Sequence, residues 1–235
     1  MDLVISKKTK LLVGKKELNA KLILLSRPEK GNALSLEMLE KISLLLKNNK
    51  QDALVFSGLG NTFCSGLDLN QLNPEKKPNL NLISSLSSVF LQILKLQIPS
   101  IVFTNGPAIG GGVGLTACFD YVICSKDSYF FTPTGKLEKF AAIVMPVVNR
   151  KLLNFRLGHR YDCSSAIKIG LADKILEEKN FNLLEKNLIK MPETYLNLYE
   201  RIKHRTLDIR QIESKNKNIL NSLESACNDK TKKGS

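Results

Sequence analysis

The sequence predicts an α/β fold built on a parallel sheet, and three of its features carry that prediction. Two runs of branched apolar residues, Lys21-Leu22-Ile23-Leu24-Leu25 and Ala53-Leu54-Val55-Phe56, flank a segment in which Leu36, Leu39, Ile42, Leu45 and Leu46 recur at helical spacing. Strand, helix and strand in that order form the right-handed crossover of a parallel sheet. The same order returns at Ile101-Val102-Phe103, where a buried-strand run passes through a glycine turn into small apolar residues suited to a tightly packed helix. The third feature is size: 235 residues, 43% of them hydrophobic, suffice for a sizeable core in one domain with a small appendage.

Ahead of the first crossover, Leu3-Val4-Ile5 and Lys10-Leu11-Leu12-Val13 read as short strands, with Gly14 and Asn19 as turn residues. Ser35 is a suitable N-cap for a helix from Leu36 to about Lys47, and Glu37 favours its positive N-terminus. Asn73 to Asn79 holds two prolines and opposed charges, the composition of a loop beside a site. A helix is expected from Asn81 to Leu96, with Leu82, Ile83, Leu86, Val89, Phe90, Ile93 and Leu94 on a broad apolar face. Tyr121 to Cys124 and Tyr129 to Phe131 read as further strands. Beyond Pro146, helices are expected at Val147 to Leu157, at Ser164 to Ile169 behind a cap at Asp162 or Cys163, and at Asn182 to Lys190. Pro192 marks a boundary, so residues 1–190 are expected to form the core and 191–228 an amphipathic helical segment. The stripe of that segment is Tyr195, Leu198, Tyr199, Ile202, Leu207, Ile209 and Ile212, and residues 229–235 read as a charged, disordered tail.

Composition narrows the class. No run reaches the eighteen or so apolar residues of a membrane span, and the start lacks the apolar stretch of a secretory signal, so a cytoplasmic protein is expected. The five cysteines are odd in number and show no C-x-x-C spacing, as reduced thiols would. Two histidines cannot supply a structural zinc set; His159 beside Arg160, and His204 between Lys203 and Arg205, read as surface groups. The net charge of +13 attracts polyanions in general, whether nucleic acid, anionic membrane or a phosphorylated coenzyme. The lysines are scattered, aromatic residues make up 6%, and no RRM, KH or zinc-finger pattern occurs, which disfavours nucleic acid.

Two glycine turns stand out. Thr104 to Asp120 contains Gly110-Gly111-Gly112 at the expected start of a helix. Three successive glycines leave backbone N–H groups unscreened, so an oxyanion can approach them and feel the positive end of the helix dipole. The other turn, Gly60 to Leu69, follows the strand Ala53 to Phe56.

Together these turns carry a resemblance. Phe63-Cys64-Ser65-Gly66-Leu67-Asp68 has the form F-x-x-G-x-D, and Asn105-Gly106-Pro107-Ala108-Ile109-Gly110-Gly111-Gly112 the form N-G-x-A-x-G-G-G. Arg27-Pro28-Glu29-Lys30-Gly31-Asn32-Ala33-Leu34 and the stretch from Leu157-Gly158 through Ala166 to Gly170-Leu171-Ala172-Asp173 add two more elements. From about Leu22 to Leu176 the chain resembles the crotonase, or enoyl-CoA hydratase/isomerase, family. The resemblance implies a crotonase-like spiral of ββα units, a C-terminal helical trimerisation segment, and a trimer or dimer of trimers. It implies an acyl-CoA or related acyl thioester as ligand, with coenzyme A part of the substrate and no separate cofactor or metal. By resemblance the backbone N–H groups of Leu67 and Gly111 form an oxyanion hole that polarises the thioester carbonyl, each worth about 3–4 kcal/mol. Lys30, Ala33, Ser65, Leu67 and Asp68 then border the coenzyme, with Lys30 placed to meet its phosphates. Asp68 is also positioned to cap a short helix from Leu67 to Leu72 or to bond local amides, and Asp120 reads as structural.

The reaction depends on side chains. A hydratase of the family uses two acids, one to activate water and one to deliver a proton. The matching positions here are Gly114 and Thr134, so efficient hydration is not expected. Isomerisation needs one base, and Glu138, shortly after the Thr132-Pro133 turn, is the candidate; its flanking lysines equally suit a surface glutamate. Enoyl isomerisation is the reaction the resemblance implies first. Decarboxylation, thioester hydrolysis and a catalytically silent acyl-thioester scaffold are the alternatives.

Overall fold

The computed structural model describes residues 2–73, 78–152, 154–177, 189–191, 200–203 and 209–232. Its main sheet begins with a hairpin of two ten-residue strands, β1 (Val4–Val13) and β2 (Lys16–Leu25), closing at Gly14 with φ 58°. The short strands expected before Lys21 are thus one continuous ladder, because backbone pairing carries through Lys7, Lys8 and Thr9 whatever their side chains. α1 (Leu36–Lys47) crosses over to β3 (Ala53–Gly58), which pairs parallel with β2 as the periodicity predicts. Ser35 Oγ accepts from Met38 N at 3.2 Å at the start of α1. Lys21 closes its end by donating to Leu45 O at 3.0 Å and Asn48 O at 3.3 Å, a cation at the negative helix terminus.

The chain continues through α2 (Leu69–Leu72), α3 (Leu80–Leu94), β4 (Ser100–Thr104), β5 (Ala108–Ile109), α4 (Gly111–Ala117), β6 (Tyr121–Ser125) and β7 (Tyr129–Phe131). After these come α5 (Glu138–Lys151), β8 (Arg160–Asp162), α6 (Cys163–Lys168), β9 (Lys174–Leu176), β10 (Ile189–Met191) and α7 (Ile209–Lys232). The main sheet has the order β10-β1-β2-β3-β4-β6-β9, parallel except for the β1–β2 hairpin, and β5-β7-β8 form a second sheet. Both faces of the main sheet are buried: Ile23, Phe56, Val102 and Val122 join the helices on one side, while Leu22, Val55, Ile101 and Phe103 are covered on the other.

Three expectations change. The helix placed after Pro146 starts at Glu138 instead and contains that proline. Phe140, Ile143, Val144, Val147 and Val148 lie buried on one side of α5, and burial of five such side chains outweighs the roughly 3 kcal/mol an internal proline costs. Of the helix expected at Asn182 to Lys190, residues 182–188 lie outside the described residues, and Ile189–Met191 pair with β1 as a strand. α7 runs to Lys232, past the boundary expected at residue 228, since no glycine or proline interrupts it. It packs on α3 and α5 of its own chain, with Ile209, Ile212, Ile219, Leu220 and Leu223 joining the core. Ile202 is buried, and Tyr195, Leu198, Tyr199 and Leu207 of the expected stripe lie outside the described residues.

Candidate active site

The site is assembled from four backbone segments laid side by side. Leu34 N donates to Gly66 O at 2.7 Å and Asp68 N to Leu34 O at 3.0 Å, so residues 66–68 pair with the Arg27–Leu34 segment. On the other flank Ile109 N donates to Cys64 O at 2.8 Å, and Gly110 N donates to Phe131 O at 2.8 Å. These bonds use up Gly66, Asp68, Ile109 and Gly110. They leave the N–H groups of Leu67 and Gly111 without an acceptor among the described residues.

Those two groups are neighbours. Gly66 has φ 94°, a conformation only glycine adopts readily, and a Cβ there would lie 2.9 Å from Ile109 O and 3.3 Å from Gly111 N. A Cβ on Gly111 would in turn stand 3.6 Å from Leu67 N. Each glycine therefore lets one turn approach the other closely, which brings the backbone nitrogens of Leu67 and Gly111 into one neighbourhood.

The Arg27–Leu34 segment is a clamp for this arrangement. Asn32 is fully buried at φ 54°. Its Oδ1 accepts from Arg27 N at 2.8 Å, and its Nδ2 donates to Leu59 O at 2.9 Å and Thr62 O at 2.7 Å. Arg27 donates from Nη1 to Asp68 Oδ2 at 2.5 Å, and Asp68 Oδ1 accepts from Asn70 N at 3.0 Å as the N-cap of α2. Burial by itself raises the Asp68 carboxyl, but the Arg27 guanidinium and the Asn70 and Gln71 amides outweigh it and hold the pKa below the ordinary value. Asp68 is thus engaged as the capping residue its position suggested.

Beside the two N–H groups opens a cavity of about 400 Å³. Leu67, Leu72, Leu86, Phe131, Phe140 and Val144 supply much of its wall, exposed Leu69 also borders it, and Ser65, Tyr129 and Thr132 are its hydroxyl-bearing residues. Among the described lining residues there is no carboxylate, imidazole, thiol or ammonium group. The cavity is thus an apolar space bordered by two backbone N–H groups, a combination of apolar wall and few polar groups common to small-molecule pockets.

Of the residues predicted from sequence, Ser65, Leu67 and Gly111 come together at this cavity. Lys30 is exposed and Ala33 half-buried; both take part in the clamp through backbone, with Lys30 O accepting from Ala33 N at 3.1 Å. Glu138 is exposed on the first turn of α5 and is not among the lining residues, although Leu137, Phe140 and Ala141 around it are. Thr134 is exposed as well. A Cβ on Gly114 would lie 2.6 Å from Phe90 Cζ and 3.2 Å from Val144 Cγ1, so the space for a side chain there is already occupied. Sequence reasoning missed Tyr129, Phe131 and Thr132 as cavity walls and Asn32 as the clamp; the β7 pattern marked a strand, but nothing marked which face met the site.

His159 packs its ring edge on Tyr161, and His204 lies outside the described residues. Cys64, Cys118, Cys124 and Cys163 are buried free thiols, and burial pushes Cys64 up to about 12. Among the described residues no group of three or more His, Cys, Asp or Glu could hold a metal, and no helix is long and apolar enough to cross a membrane.

The chain is 28% identical over 178 residues to mouse ethylmalonyl-CoA decarboxylase (69% of this chain, 55% of the relative). It is 29% identical over 175 residues to mouse peroxisomal enoyl-CoA delta isomerase 3 (68% and 55%). The chain spans about half the length of the curated relatives it matches. The crystal structure of an enoyl-CoA hydratase/isomerase from Marinobacter aquaeolei shares its fold, with a TM-score of 0.67 and 21% identity over 88% of this chain and 83% of that one. The family model described as enoyl-CoA hydratase/isomerase matches residues 16–234, nearly the whole chain, which therefore belongs to the enoyl-CoA hydratase/isomerase, or crotonase, family.

Proposed function

We propose that this chain binds an acyl-CoA or related acyl thioester, seats the thioester oxygen between the N–H groups of Leu67 and Gly111, and carries out chemistry through the resulting enolate. The observation that supports this reading is the pair of unpartnered, adjacent N–H groups bordering an apolar cavity. Preorganised donors of this kind stabilise charge as it develops, each by about 3–4 kcal/mol, and need no ionisable side chain. Coenzyme A enters as part of the substrate. Enoyl isomerisation is the first reaction: a base removes a proton next to the carbonyl-activated system and returns it elsewhere on the same face. Glu138 is the candidate from sequence, and it would have to act from the cavity mouth, since its side chain is exposed.

One observation favours decarboxylation as a second reading. Among the described residues the cavity wall offers no base, and loss of CO₂ from a 2-carboxyacyl thioester requires none. The bond from C2 to the carboxylate breaks, its electron pair moves into the enolate held by Leu67 and Gly111, CO₂ leaves, and C2 takes a proton from water. An apolar wall also strips water from the carboxylate, raising the energy of the group that is lost.

The experiment has two arms on the unaltered protein: hydrogen–deuterium exchange and double-bond migration in a 3-enoyl-CoA, and CO₂ release from a 2-carboxyacyl-CoA. Exchange abolished by Glu138→Gln with binding retained supports isomerisation with Glu138 as base. CO₂ release without exchange supports the second reading. Failure to bind any acyl-CoA overturns both.

A further inference from the structure

We propose that Lys151 is a positioning residue for the acyl-thioester site, its ammonium group acting from the far end of α4 to strengthen the hold of Gly111 N–H on the thioester oxygen. The inference rests on the acyl-thioester reading above and adds a charged group, outside the cavity, that tunes it.

Helix α4 links two places. Its first residue is Gly111, and its last, Ala117, leads into Cys118, Phe119 and Asp120. All seven of its residues are buried, and a Cβ on Gly112 would lie 2.4 Å from Cys64 O, so the helix is wedged against the turn that carries Leu67. The carbonyls at the end of a helix lack internal donors, and here cations supply them. Arg150 Nη2 donates to Ala117 O at 3.2 Å, Lys151 Nζ to Phe119 O at 3.4 Å, and Arg201 Nη1 to Asp120 O at 2.9 Å. Lys151 also donates to Leu171 O at 3.3 Å.

Among the described residues the charged groups that face Lys151 are Arg150 on its own helix, Arg201, Asp120 beyond the end of α4, and Asp173 ahead of β9. Arg201 is paired with Asp173 at 2.8 Å. The two arginines balance the two carboxylates, so Lys151 is the surplus charge. A surplus charge in a half-buried place is a cost that bonding two carbonyls does not require, because a neutral amide would bond them too. An anion that forms at the other end of α4 offsets it. Seven residues of helix rise about 10 Å. At about 12 Å and an effective dielectric constant of about 20, one positive charge favours an oxyanion roughly three- to tenfold.

Burial pushes the Lys151 ammonium below its ordinary value of 10.5; Asp173 and Asp120 pull it back up, while Arg150 and Arg201 push it further down. The charge is thus present below the lowered value and lost as pH rises through it, and its effect on the thioester oxygen follows.

The test reads the carbonyl stretching frequency of hexanoyl-CoA carrying ¹³C at the thioester carbon, by difference infrared spectroscopy, free and bound, from about pH 6 to the ordinary lysine value of 10.5. The unaltered protein should lower the frequency on binding, by a shift that shrinks as pH rises. Lys151→Met should show a smaller, pH-independent shift, and Lys151→Arg, which keeps its charge, the full shift throughout. In whichever arm of the preceding experiment the protein is active, Lys151→Met should lower kcat about three- to tenfold with KM nearly unchanged, since the charge acts on the developing oxyanion. A full, pH-independent shift retained in Lys151→Met overturns the proposal. A shift that falls with pH equally in Lys151→Arg assigns the change to another group, such as Tyr129 at the cavity, and overturns it too. Should Lys151→Met not fold, the comparison of the unaltered protein with Lys151→Arg decides. If hexanoyl-CoA does not bind, or binds with its carbonyl unshifted, the underlying reading fails; if the carbonyl shifts but is insensitive to Lys151, only this inference does.

Discussion

By the motif resemblance, Gly114 is the position that matches one of the two acids of a hydratase, and the packing around it makes a quantitative prediction. A methyl group there would stand 2.6 Å from Phe90 Cζ, 2.9 Å from Phe90 Cε2 and 3.2 Å from Val144 Cγ1. Phe90 is 0% and Val144 2% exposed, so the ring cannot retreat without moving other core side chains. Overpacking of this kind costs about 1–3 kcal/mol. Replacing glycine by alanine in a helix returns up to about 1 kcal/mol. Gly114→Ala is therefore expected to lose about 0–2 kcal/mol of unfolding free energy. Gly114→Glu would bury a carboxylate with no partner beside the same ring, and several further kcal/mol are at stake against a total of about 5–15 kcal/mol. The sharper measurement is a double-mutant cycle by urea denaturation. Phe90→Leu alone should destabilise by emptying part of the core. In the Gly114→Ala background the new methyl group occupies some of that space, so the combined loss should fall short of the sum by about 1 kcal/mol or more. Additivity within about 0.5 kcal/mol would refute the claim that Phe90 fills the place of the acid. It would also reopen the route to hydratase chemistry through Gly114→Glu.

The same reasoning leads to three further expectations. With crotonyl-CoA and a longer 2-enoyl-CoA the unaltered protein should hydrate far more slowly than a typical enzyme; turnover within tenfold of about 10 s⁻¹ on either would reveal a base elsewhere in the site. Asp68 has a folded pKa below its ordinary value of 3.8, so its contribution to stability is complete above that value and declines as pH falls through the depressed one. Thermal melts from pH 7 to pH 3 should show less acid destabilisation in Asp68→Asn than in the unaltered protein; equal acid sensitivity would mean that the Arg27 contact does not act on the carboxyl. Acyl-CoA binding should weaken only modestly with added salt, because a few phosphates meet a few lysines, whereas a steep salt dependence for mixed RNA without acyl-CoA binding would point to nucleic acid.

Much of the architecture was legible in the order of residues. The periods of Leu36 to Leu46 and of Leu82 to Leu94 identified α1 and α3, since amphipathic spacing is a local property that burial reinforces. Asp68 and Ser35 announced their caps for the same reason: a side chain bonding an amide two or three residues away needs no tertiary context. The two glycine turns were also visible, because positive φ and close approach leave glycine as the residue that fits. Helix α5 was misplaced because proline is a local stop signal, while the burial of Phe140, Ile143 and Val147 that overrides it depends on partners distant in sequence.

The sequence by itself therefore determined the α/β class, the family motifs and the two glycine turns, all of which follow from local chemistry. It also determined that Gly114 and Thr134 carry no acid. Only the tertiary structure decided that Phe90 occupies the space beside Gly114, that Glu138 faces solvent, and that Tyr129 and Phe131 border the apolar cavity. These are relations between residues far apart along the chain, set by which faces of α3, α5 and β7 meet, and side-chain identity does not encode them until the backbone brings those faces together.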